Sequence, residues 1–219
     1  MFDRSVGTIT ENASSINVTI AATSVCNGLA LFNLDAAQVQ VTVTNGSGTL
    51  YNATESLRST FGITDWYAWF TQEVEYKTDL ILTDLPPNSG TNVQVQITGT
   101  GDVSCGTMVL GKLRSLGAGP SYGARGGITD YSRKTTDEFG NTTITERAFA
   151  KRHSFRSMVV AGDVDAVFNL LAQFRATPVV WIGAEDYGMT AIYGWARDWG
   201  IEIAFVSHSI LALEIEGLT

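Results

Sequence analysis

Apolar and polar residues alternate with a period of two in several short runs, and wherever that rhythm holds the chain is restricted to β structure. Val93-Gln94-Val95-Gln96-Ile97-Thr98 keeps it without a break, Val39–Thr44 repeats it, and Ile16–Ile20 carries it again. A strand of this kind offers one face to a core and the other to water. Gly28–Leu34 is apolar almost throughout, which suits a strand covered on both faces. Asn45-Gly46-Ser47-Gly48 reads as a turn, with Leu50 and Tyr51 opening the returning strand. Leu85-Pro86-Pro87-Asn88-Ser89-Gly90 ends the strand Leu80–Leu82. Gly99-Thr100-Gly101-Asp102 reads as a second turn, between Val93–Thr98 and a separate strand Thr107–Gly111. Short strands divided by turn signals, with no helical period, predict an antiparallel β-sandwich over residues 1–116.

The glycine-rich stretch Leu116–Gly123 marks a domain boundary, and residues 117–219 follow another plan. Asp130–Thr136 and Asn141–Val160 read as strands around a turn at Asp137–Asn141. A helix is expected over Asp163–Arg175, where Val164, Val167 or Phe168, and Leu171 form one stripe. Acidic Asp163 and Asp165 at its start and Arg175 at its end suit the helix dipole, and Pro178 blocks continuation. Strands follow at Pro178–Gly183, at Ala191–Phe205 with an irregularity near Arg197-Asp198, and at Ile210–Leu218. The expected class is mainly β: a sandwich, then an α+β domain with one helix on an antiparallel sheet.

Charged residues make up 16% of the chain, below the usual share of roughly 25%, and uncharged surface is what subunits pack together. The net charge of −8 disfavours general nucleic-acid binding, which needs Lys and Arg against phosphate. No apolar run approaches the length of a membrane span. Met1-Phe2-Asp3-Arg4 lacks the character of a signal peptide, so synthesis in the cytoplasm without membrane insertion is expected. Cys26 and Cys105 have no metal spacing; two buried thiols are favoured over one disulfide.

Chemistry-bearing motifs are sparse. His153 and His208 lie in no metal motif, and His153 is expected on a solvated strand face. Glu185 and Asp186 follow a strand and read as solubilising acids. No phosphate loop or nucleophile elbow is present in the sequence, and neither catalytic residues nor a cofactor or metal is expected. Trp66, Tyr67, Trp69 and Phe70 have two readings, a filled core or an exposed patch that binds a glycan or a partner. As a strand, this segment would set Trp66 and Phe70 opposite Tyr67 and Trp69. Arg147, Lys151, Arg152 and Arg156 cluster within an acidic chain, with Arg133 and Lys134 close by. They read equally as a solvated face or as an inter-subunit salt-bridge surface. Glu214 and Glu216 point out from one face of the last strand as surface or inter-subunit charges.

The blocks Gly127–Lys134, Asp137–Asn141, Glu146–Arg152, Leu171–Gly183 and Leu213–Leu218 resemble, in order and spacing, a recurrent block of tailed-bacteriophage tail proteins. Asn27–Leu31 and Asp84–Pro87 are similar to the galectin-like or carbohydrate-binding-module-like sandwich that precedes it. The resemblance implies a structural virion protein of the tail tip or baseplate, of the distal-tail kind, assembled in the host bacterial cytoplasm. It further implies a tail-tube-like second domain and a homo-oligomer, expected as a six-fold ring that meets tube, hub or fibre proteins. A glycan-binding adhesin contacting the host surface is the alternative. The resemblance further implies an extra, often carbohydrate-binding-like segment ahead of the position of Phe2 in some relatives; a chain starting at Met1 is expected to be without it, which weakens the expectation of a host-glycan role.

Overall fold

The computed structural model describes residues 8–87, 89–184 and 187–218. The chain divides into two units, Met1–Leu113 and Arg114–Thr219, so Leu116 belongs to the second. Antiparallel sheets dominate both.

The first unit is a single sheet of strands β1 (Thr10–Ala22), β2 (Gly28–Asp35), β3 (Gln38–Asn45), β4 (Gly48–Ser56), β5 (Leu80–Leu82) and β6 (Thr91–Gly111). Their order is β4-β3-β6-β2-β5, with β1 also paired to β6. β6 corrects the sequence reading. Gly99–Asp102 does not reverse the chain; one 21-residue strand runs through it. Its first part pairs with β3 and its last part with β2, while β1 follows it on the other side. At the crossing, Ala13 pairs with Asp102 and Ser15 with Thr98, so Ser14 alone faces Gly99, Thr100 and Gly101. This is a bulge, which bends a strand without ending it. Ser14 takes φ +66°, and a Cβ on Gly99 would lie 2.7 Å from Val103 Cγ1. Glycine is therefore needed here for close approach rather than for a turn.

The bend folds the sheet over one core. Val93, Val95 and Ile97 precede it, Val103 and Cys105 follow it, and all five join Val39, Val41 and Leu31 in one buried cluster. Each such side chain contributes about 1.5–3 kcal/mol by leaving water. Residues Gly28–Phe32 of β2 are buried without alternation, as its continuous apolar run predicts.

The second unit holds β7 (Arg125–Asp130), β8 (Arg133–Thr136), β9 (Thr142–Thr145), β10 (Phe149–Val160), β11 (Val179–Ile182), β12 (Ala191–Glu202) and β13 (His208–Gly217). Five of these form a sheet in the order β11-β12-β13-β10-β7, and β8 pairs with β9 alone. The expected irregularity lies where β12 shifts register against β13, between Ala196 and Asp198. The expected helix forms at Val164–Gln173, entered through a 3-10 turn at Ala161–Asp163. Its Val167 and Leu171 pack on Val159, Trp181, Leu211 and Leu213. Val167 thus fills the stripe, whereas Phe168 stays half-exposed, edge-on to Trp199 at 5.1 Å between centroids.

Candidate interaction surfaces

Between β4 and β5 the first unit throws out a loop with a closed neck. Leu57, fully buried, anchors it. Lys77 N–H donates to the Leu57 carbonyl at 2.7 Å and Ser59 N–H to the Glu75 carbonyl at 2.8 Å, with Arg58 bridged to Tyr76. The tip carries a short helix, α1 (Trp66–Thr71). Asp65 starts it by accepting from Ala68 N–H at 2.7 Å. The segment is therefore not a strand. Trp66 and Phe70 lie one helical turn apart and stack, centroids 6.4 Å and planes 26° apart.

No residue of α1 is buried. Trp66 and Tyr67 are each 78% exposed, Phe70 79% and Phe61 83%. A core reading of these aromatics does not hold. Trp69, at 40%, is partly covered by the Arg58 guanidinium, 4.3 Å above its ring. The helix's polar neighbours are turned onto backbone. Thr71 Oγ1 donates to the Tyr67 carbonyl at 2.7 Å, and Gln72 Nε2 donates to the Phe61 carbonyl at 3.0 Å.

The second unit separates the charges that the sequence groups together. Arg152 pairs in register with Glu216, and Ser154 with Glu214. These residues and Arg156 share the sheet face away from the core cluster. Glu216 Oε2 lies 3.5 Å from Arg197 Nη1, and its Oε1 accepts from Tyr131 Oη at 3.4 Å. A cleft of about 300 Å³ on this face is lined by Arg125, Arg152, Ser154, Arg197 and Glu214. Lys151 has the opposite parity and is half-buried.

Arg133 and Lys134 stand elsewhere, on the two-stranded β8–β9 hairpin, whose strand residues are all exposed. Arg147 follows the hairpin, its N–H donating to Ser132 Oγ at 3.0 Å. Asp137 locks the hairpin tip: its carboxylate accepts from Phe139 N–H at 3.0 Å, Asn141 N–H at 2.7 Å and Asn141 Nδ2 at 2.8 Å. These bonds, that from the Asn141 side chain foremost, hold its carboxyl below the usual range. Phe139 at the tip and Ile144 on β9 project into water.

His153 is not solvated. It is 2% exposed, neither ring nitrogen has a hydrogen-bond partner, and burial pushes its pKa down. Cys26 and Cys105 are both free. Cys105 is in the first core, its thiol pushed up to about 11 by burial, whereas Cys26 is only half-buried. Among the described residues no group of three His, Cys, Asp or Glu is placed to hold a metal ion, and no helix is long and apolar enough to cross a membrane. Glu185 and Asp186 lie outside the described residues.

No protein-family model, no curated protein and no solved structure matches this chain.

Proposed function

We propose that this chain is a structural subunit of a tailed-phage virion, a distal-tail or baseplate protein. It acts by assembling into a ring at the tail end that links the tail tube to tip or fibre proteins. The observation that carries the proposal is the β8–β9 hairpin. A lone two-stranded hairpin is marginal in water. This one exposes every strand residue and directs Phe139 and Ile144 outward, so packing on a neighbouring subunit would stabilise it. Among the described strands, β7 and β11 are the two edges of the second sheet, and each has one unfilled side. Open edges invite pairing with another chain, and a head-to-tail contact of this kind closes into a ring when its rotation permits. The resemblance of residues 127–218 to tail proteins supplies the tail placement and the six-fold expectation.

The test is light scattering and electron microscopy of the purified chain. Rings of uniform size are expected, and Phe139→Ser with Ile144→Ser is expected to disperse them. A wild-type chain that stays monomeric at high concentration sinks the proposal.

A further inference from the structure

Two guanidinium groups on the outer sheet face of the second unit have no acid to hold them. We propose that the cleft beside Gly126 and Gly127 binds a small oxyanion, a phosphate or carboxylate group, held by Arg125, Arg152 and Arg197. The site lies wholly within the second unit and does not depend on ring formation.

Strand register brings the three arginines together. Arg152 of β10 stands opposite Gly127 of β7, and Arg125 lies two residues from Gly127 on the same face. Diagonal neighbours of this kind are about 7–8 Å apart, within reach of two long side chains. Arg197 arrives from the far side of β13. Ala196 pairs with Ile215 and Asp198 with Glu214, so Arg197 is the extra residue of a bulge. A bulge re-aims one side chain out of the strand's alternation. All three arginines line one cleft of about 300 Å³, and the strand order β12-β13-β10-β7 alone unites them.

The cleft has room for a ligand because its floor is bare. A Cβ at Gly127 would meet nothing within 4 Å. The volume is at the low end of ligand pockets, which suits one small charged group.

The acids on this face leave donors unspent. Glu216 is the cross-strand neighbour of Arg152, yet its Oε2 faces Arg197 Nη1 and its Oε1 accepts from Tyr131. Glu214 is opposite Ser154. Among the described residues neither Arg125 nor Arg152 is ion-paired. Three guanidiniums against Glu214 and Glu216 leave one positive charge over, in a chain of net charge −8. Planar forks with free N–H groups match the paired oxygens of a carboxylate or phosphate. One excess charge is too little to hold a nucleic-acid backbone, which needs many phosphate contacts.

The full chain is titrated by calorimetry at fixed ionic strength with inorganic phosphate and, separately, with succinate; thermal melts confirm that each variant folds. Saturable binding of one anion per chain is expected. Arg125→Ala with Arg152→Ala is expected to weaken it by roughly tenfold or more, as the loss of charge-assisted bonds implies. Gly127→Val fills the floor, leaves every charge in place, and should weaken binding as well. Arg133→Ala with Lys134→Ala removes the same charge from the β8–β9 hairpin and should leave binding unchanged. Saturation by phosphate alone assigns the cleft to phosphoryl groups, by succinate alone to carboxylates, and by both to oxyanions in general. Saturation by neither overturns the site. An equal loss in the hairpin variant overturns it in favour of diffuse attraction, and undiminished binding in Gly127→Val places the anion outside the cleft and overturns it too.

Discussion

The His153 ring lies against Phe155, centroids 5.1 Å apart, inside the second unit and with both nitrogens unpartnered. Burial favours the neutral imidazole and lowers its pKa. Unfolding exposes it to water, where the ordinary value is near 6.5. Below about that pH the unfolded chain takes up a proton that the folded protein resists, so stability is full above it and falls as the pH drops. Urea unfolding between pH 7.5 and 5 (a range set about the ordinary histidine value) should show this loss. His153→Phe should flatten the curve; an unchanged slope would assign it to another group.

Gly194 and Gly217 face each other where β12 crosses β13. A Cβ at Gly194 would collide with the Glu216 carbonyl and sit 2.7 Å from Gly217 Cα, and these are backbone atoms rather than a side chain that could yield. Gly194→Ala should destabilise the second unit by about 1–3 kcal/mol or more. Its melting temperature should drop, while Gly127→Ala, where a Cβ meets nothing within 4 Å, should change it little.

Tyr51 donates its hydroxyl to the Asp84 carboxylate, 3.1 Å from each oxygen. Burial, then the Asp84 bond and charge, push its pKa up to about 12. The unfolded phenol ionises near 10, so this contribution is complete below that pH and is lost as pH rises toward 12. Ultraviolet titration should find one tyrosine resisting ionisation, and Asp84→Asn should lower its midpoint.

Six residues are too few for a stable isolated helix, so α1 depends on its cap and its closed neck. Asp65→Ala should cost about 1 kcal/mol locally. Hydrogen exchange at Ala68 and Trp69 should accelerate while the global melting temperature holds. Unchanged exchange would show that the neck alone maintains the helix.

Period-two alternation made most strands legible, because a half-buried strand must show it. Parity along β10 sets His153 on the core side with Phe155 and Val159, but the solvated-face expectation followed the basic neighbours Arg152 and Arg156, which lie on the opposite face. Gly99–Asp102 has turn composition, yet a bulge across two strands needs the same small residues. That distinction lies in the pairing with Ser14, far away in sequence. The α1 helix left one local signal, Asp65 three residues before Ala68, against aromatics that favour strands. Trp66 and Phe70 escape burial because the neck carries them away from the core, which no residue type announces. Likewise, Arg133 and Lys134 are near Arg152 in sequence but stand on a separate hairpin.

Because β1, β2 and β3 all take β6 as a partner, the first unit cannot close while the ribosome is still short of Gly111. Until Asn92–Thr98 have been made β3 has only β4, and until Ser104–Gly111 follow β2 has only β5, leaving Val39, Val41 and Val43 without Ile97, Val95 and Val93. At about 5–20 residues per second that gap lasts of the order of 3–12 s. The nascent first unit is therefore an open, sticky half-sheet for those seconds, and a chaperone that holds it has its work defined by the arrival of one late strand.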